Sequence, residues 1–214
     1  MSRVKLVQQS DLSEENKEFY DMVPTLLGRV PNFYKTLSNS PYLAMAFLPI
    51  NSAAQREWDG TDLSGKLKEL IVIKTSHTNG CKYCYAHNTA LGAAAGIGEA
   101  HIKALSLNDF SDSNLFSEEE VLAIKWAEAV TNNTAASNDD LFNQLKEKFT
   151  EKQIVEMTIL CAMFNMINRI NDSLDVDLEE QGEVNLIKKS LHLKSDAYGK
   201  YLEWFGKFWK RNIS

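Results

Sequence analysis

Residues 63–96 read Leu63-Ser-Gly-Lys-Leu-Lys-Glu69-Leu-Ile-Val-Ile-Lys-Thr-Ser76-His-Thr-Asn-Gly80-Cys81-Lys-Tyr-Cys84-Tyr-Ala-His87-Asn-Thr-Ala-Leu-Gly-Ala-Ala-Ala-Gly96. Leu63, Leu67, Leu70, Ile71 and Ile73 recur at helical spacing and predict a strong helix ending near Thr75, with Glu69 inside it. Ser76 to Gly80 breaks the pattern, and Asn79 is placed to cap a second helix that opens with the cysteines. That helix passes through Ala86 and Ala90 to Ala95, and Gly96 suits the position just past its end.

Outward from this pair the same period continues. Pro41 to about Trp58 carries Leu43, Phe47, Ile50 and Ala54 at helical spacing, with Pro49 as a possible kink. Asp11 to Met22 can form a polar helix, and Pro31-Asn32 punctuates before Phe33-Tyr34-Lys35-Thr36-Leu37. Ile97 to Leu105 reads as a short helix, and Ser106 to Phe116 is the most linker-like segment. Ser117-Glu-Glu-Glu120 and Thr150-Glu-Lys-Gln153 both have capping-box form ahead of apolar runs, with a shorter helix at Asp139 to Phe149 between them. No segment alternates with period two for long enough to make a strand, so the chain is read as all-α. The expected organisation is a helical arm with packing helices over 1–60, a core with the cysteine pair over 61–110, and a helical half over 111–214. These together form one compact unit.

The 214 residues are enough to bury a core, and 10 Gly and 4 Pro leave few helix breakers. A charge of −6, from 23 basic and 29 acidic residues, disfavours electrostatic nucleic-acid binding. The longest apolar run, Leu43 to Ile50, is far too short to span a bilayer, and the first residues lack a signal-peptide core. The expectation is a soluble, cytoplasmic protein with neither nucleic-acid nor membrane partners. Tyr198, Tyr201, Leu202, Trp204, Phe205, Phe208 and Trp209 cover a broad helical arc near the end, which predicts burial against the core or a second subunit.

Cys81 and Cys84 lie one turn apart at a helix start, so their side chains share a face and can form a disulfide. The free N–H groups and positive dipole end there predict a thiol with a lowered pKa. One sulfur could then attack an oxidant and the other resolve the resulting sulfenic acid. His87, a further turn on, is the nearest base, and Glu69 among apolar neighbours is expected to carry a raised pKa. If the two helices pack as a hairpin, Glu69, His87 and the cysteines could form a proton relay. The alternative for the pair is half of a zinc site completed by His87 and by His77 or His101. Cys161 reads as a small buried hydrophobe, and Arg169 as a residue able to form an ion pair within the subunit or across an interface.

These motifs resemble the alkylhydroperoxidase AhpD-like, or carboxymuconolactone decarboxylase-like, proteins. The resemblance rests on Glu69 to Ser76, Asn79 to His87 and Thr89 to Gly96, with the glutamate twelve positions before the first cysteine. It implies an all-α AhpD-like helical bundle that assembles into trimers or hexamers, and a peroxidase acting on hydrogen peroxide or organic hydroperoxides in antioxidant defence. It further implies Cys84 as the peroxidatic nucleophile, Cys81 as the resolving thiol, and Glu69 and His87 as the relay. In the well-studied peroxidase branch the histidine comes four residues after the second cysteine, a position held here by Asn88. A peroxidase-related branch has it at the third residue, as here. Turnover on this reading needs a thioredoxin-like or dihydrolipoyl reductant and no metal or other cofactor. The rival readings are a lactone decarboxylase-type enzyme on the same scaffold and a non-enzymatic redox sensor.

Overall fold

The computed structural model describes residues 1–110 and 114–212, and eleven α-helices account for most of them. They are α1 (Glu14–Leu27), α2 (Asn32–Leu37), α3 (Pro41–Gln55), α4 (Gly65–Asn79), α5 (Lys82–Ala94), α6 (Glu99–Leu107), α7 (Glu118–Thr131), α8 (Asp139–Lys148), α9 (Glu151–Ser173), α10 (Gln181–Asn185) and α11 (Ser195–Asn212). Among the described residues there is no strand. One isolated parallel bridge joins Glu57 to His192. The expected break between Ser106 and Phe116 falls partly outside the described residues.

Helix α4 is the axis of the fold. It packs against α5, α7 and α9, and it is enclosed on every side, so that Lys68, Glu69 and Lys74 are buried along with Leu70, Ile71, Val72 and Ile73. A helix buried all round must satisfy its polar residues internally. Lys68 Nζ donates to Arg56 O and Thr61 Oγ1, both at 2.7 Å, and Lys74 Nζ pairs with Glu128 at 2.9 Å. Ser64 caps its start by accepting from Leu67 N.

Its end differs from the expected one. Helix α4 continues through the Ser76–Asn79 segment, and the chain reverses at Gly80, whose φ of 73° is in the left-handed region open to glycine. Asn79 therefore closes α4 instead of capping α5, and its side chain donates to Asn165 on α9 at 3.0 Å. Cys81 takes the N-cap position of α5.

Both capping boxes form as expected. Ser117 and Glu120 exchange bonds at the head of α7, and Thr150 and Gln153 do so at the head of α9. Helix α3 begins at Pro41 but presents a different face from the expected one: Leu43 is 69% exposed and Ile50 is 50% exposed. The inward face is Ala44, Met45, Leu48, Asn51, Ser52 and Gln55. Its polar members are held by bonds such as Tyr34 Oη to Asn51 Oδ1 at 3.1 Å.

Pro49 lies within α3 without ending it. Proline has no N–H, so the Met45 carbonyl four residues earlier loses its helical partner. Tyr201 Oη from α11 donates to Met45 O at 2.7 Å and replaces it. Helix α11 packs on α1 and α3 and buries Tyr201 and Phe208, as its aromatic arc predicted.

Candidate functional site

The turn at Gly80 sets the two cysteines at the start of α5, buried under the N-terminal segment and α9. Cys81 and Cys84 are both free thiols. Asn171 Nδ2, from the far end of α9, donates to Cys84 Sγ at 3.4 Å and is anchored on Ile167 O at 3.0 Å. The thiol of Cys84 is held above the usual range, first by its hydrogen bond with the Cys81 sulfur and then by burial. The expected lowering by the helix dipole is outweighed, because two adjacent sulfurs in an apolar setting resist a second negative charge. Release of the Cys84 proton therefore calls for a base.

His87 is that neighbour in the cavity lining, but its partner is not Glu69. His87 Nδ1 is 2.9 Å from the Tyr83 carbonyl, and Nε2 is 3.1 Å from Glu179 Oε2. A carbonyl only accepts, so Nδ1 donates to it and Nε2 is the ring nitrogen that faces the Glu179 carboxylate. The other oxygen of Glu179 accepts from Asn32 N at 2.6 Å and from Tyr83 Oη at 3.0 Å. Burial would raise this carboxyl, but the His87 contact and the Asn32 N–H outweigh it and bring Glu179 down to about 2.

Glu69 forms a separate branch. It is fully buried, and Oε1 accepts from Gln55 Nε2 at 3.1 Å. Gln55 Nε2 also donates to Asn88 Oδ1 at 3.2 Å, and Asn88 Nδ2 donates to Ser76 Oγ at 3.1 Å. Burial pushes Glu69 up to about 8, as its apolar setting predicted, against the opposing pull of Arg56 and the Gln55 bond. Glu69 and His87 thus have different partners. Asn88, four residues after Cys84, is the one tied to the Glu69 branch.

A cavity of about 60 Å³ opens beside this cluster, lined by Arg29, Gln55, Arg56, Tyr83, Cys84 and His87 among others. Sequence reasoning missed Glu179, Arg29, Arg56, Gln55 and Asn171. Glu179 does lie in the acidic stretch after α9, but nothing local ties it to a histidine 92 positions earlier.

The remaining candidates lie apart. Cys161 is buried between Thr75 and Thr131, at 3.3 and 3.5 Å, as a core residue. Among the described residues Arg169 bonds within its own helix, to Asn165 O and Oδ1 at 3.0 Å. His77 stacks near Tyr85, and His101 caps α6 through Gly98 N. Among the described residues no group of three or more His, Cys, Asp or Glu is arranged to hold a metal ion. No described helix is long and apolar enough to cross a membrane.

The chain is an AhpD-like helical bundle with a Cys-x-x-Cys at the head of one helix and a glutamate on the preceding helix. Residues 47–129 match the model of the Carboxymuconolactone decarboxylase family. The uncharacterized protein YdfG of Bacillus subtilis (strain 168) is 29% identical over 105 residues, spanning 49% of this chain and 70% of that protein. An uncharacterized peroxidase-related protein from Ralstonia eutropha JMP134, described as an alkylhydroperoxidase AhpD core, superposes with a TM-score of 0.71 at 21% identity. That match covers 90% of this chain and 98% of that one. The debrominase Bmp8 superposes with a TM-score of 0.68 at 23% identity, covering 85% and 95%. At these identities the structural likeness establishes the fold.

Proposed function

We propose that this protein is a thiol-dependent peroxidase that reduces hydrogen peroxide or an organic hydroperoxide through a Cys81/Cys84 dithiol–disulfide cycle, in antioxidant defence. The observation that carries this reading is the contact of two free sulfurs beside a cavity, with the His87–Glu179 pair one helical turn away. A thiol held protonated needs a base at hand, and these residues supply it.

In the first step Cys84 passes its proton to the His87–Glu179 pair and its sulfur attacks the outer peroxide oxygen. An S–O bond forms, the O–O bond breaks, and the leaving alkoxide or hydroxide takes a proton from the His87–Glu179 pair or from Glu69. The sulfur is oxidised by two electrons and the peroxide is reduced to alcohol or water. In the second step the Cys81 thiol attacks the Cys84 sulfenic acid: the S–S bond forms, the S–O bond breaks, and the departing hydroxide leaves as water with the Cys81 thiol proton. An external dithiol, from a thioredoxin-like protein or a dihydrolipoyl group, returns two electrons and two protons. A cytoplasmic setting suits such a reductant. A homo-oligomer, trimer or hexamer, is supported by the exposed stripe of Val155, Ile159 and Met166 along α9.

Titration of the reduced protein with cumene hydroperoxide and with hydrogen peroxide tests the proposal. The expected result is loss of two thiols per subunit, abolished by Cys84→Ser, with a sulfenic acid trapped at Cys84 in Cys81→Ser. Oxidation that occurs once and cannot be reversed by any dithiol identifies a sensor instead. Lactone decarboxylation that survives in the double serine variant identifies the decarboxylase reading.

A further inference from the structure

The cavity beside Cys84 is lined by two guanidinium groups that, among the described residues, form no close ion pair with a carboxylate. Arg56 follows α3 and is 3% exposed, yet its Nε and Nη1 have no hydrogen-bond partner. Arg29, just beyond the end of α1, likewise has Nε and Nη2 unpartnered. Both line the same cavity as Cys84. They are close enough to repel: burial and then the presence of Arg29 lower Arg56, against the pull of Glu69 and Tyr34, to about 10.

Glu179 and Glu183 act on Arg29, and Glu69 on Arg56, through space and without a hydrogen bond to either guanidinium. Glu179 is engaged by His87, Tyr83 and Asn32 N. Glu69 is bonded to Gln55 and, with its pKa near 8, is mostly uncharged at neutral pH. A buried charge without a partner is costly, and each guanidinium presents a planar fork whose natural counterpart is a carboxylate or similar oxyanion.

We propose that Arg29 and Arg56 form a recognition site for an anionic group on the substrate, so that the preferred oxidant is a small hydroperoxide bearing a carboxylate, held with its peroxide end toward Cys84. This rests on the dithiol reading given above. A cavity of about 60 Å³ favours a carboxylate on a short chain over a bulky or neutral lipid hydroperoxide.

Iodoacetate and iodoacetamide test the site without any peroxide. The two reagents form the same S–C bond with loss of iodide and are nearly the same size, but only the first carries a carboxylate. Their rate ratio at Cys84, read by peptide mass spectrometry on the reduced full chain, cancels the fraction of thiolate. Relative to the same ratio for a free small thiol, the expected preference for iodoacetate is about tenfold. Arg29→Met and Arg56→Met should each bring it back toward the free-thiol value. Arg29 is the more exposed of the two, which makes it the safer variant for folding.

A wild-type ratio at or below that of the free thiol, with Cys84 still labelled by iodoacetamide, overturns the anion site and leaves the dithiol reading intact. A preference that both methionine variants retain overturns it as well. Failure of both reagents to label Cys84 overturns the dithiol reading and this inference together.

Discussion

Glu179 Oε2 lies 3.1 Å from His87 Nε2, which gives the histidine beside the cysteine pair a carboxylate partner from a distant part of the chain. The contact fixes the imidazole orientation, because the other ring nitrogen is already committed to the Tyr83 carbonyl.

Replacing Glu179 by Gln keeps the shape and removes the charge. Peroxide reduction should slow by about tenfold to a hundredfold if the pair handles the proton. The pH–rate profile should move as well, which a purely structural role would not cause. The check is a stopped-flow thiol-oxidation series from pH 5 to 9 on wild type and variant. An unchanged rate and profile would confine Glu179 to holding Asn32 and Tyr83.

Glu69 makes a prediction about stability. Its carboxyl is raised to about 8 by burial, so between its ordinary value near 4.5 and pH 8 the folded state holds a proton that the unfolded state has lost. Stability therefore falls as pH rises through this window, by about 1.4 kcal/mol per pH unit from this one group. Glu69→Gln mimics the protonated acid and removes that slope. Urea denaturation at pH 5, 6, 7 and 8 should show the variant gaining on wild type at each step. Parallel curves would mean that the carboxyl titrates normally. Glu179 behaves in the opposite sense: its stabilisation is present above about 4.5 and is lost as pH falls toward 2.

The bond from Tyr201 to the Met45 carbonyl should matter because of Pro49. In Tyr201→Phe that carbonyl is left without a partner, at a cost of about 1–3 kcal/mol. In a Pro49→Ala background the helix supplies its own N–H to Met45, so the same tyrosine substitution should cost less. A double-mutant cycle by thermal or urea unfolding measures the difference, and strict additivity would break the proposed link.

The helix starts were readable where a short sequence contains its own reason. Ser117 with Glu120 and Thr150 with Gln153 announce α7 and α9 because the bonds that fix each start lie within four residues. Helix α3 shows the limit of the same reading. Its buried face holds Asn51 and Gln55, whose inward position depends on Tyr34 and Glu69, residues elsewhere in the chain. Ranking positions by hydrophobicity therefore favoured Leu43 and Ile50, which face outward. The cysteine pair, His87 and Glu69 were legible as a spacing pattern, but their partners were not. Gln55, Asn171 and Glu179 are brought in by tertiary packing.

The sulfur pair, Glu69, His87 and Arg56 lie inside the segment shared with the family, residues 47–129, whereas Arg29, Asn171 and Glu179 come from outside it. The walls of the reaction chamber therefore have two histories. Drift in the flanking segments can retune which molecules are admitted while the cysteine pair and its histidine stay in place. Two members of such a lineage can share a reaction and differ in diet.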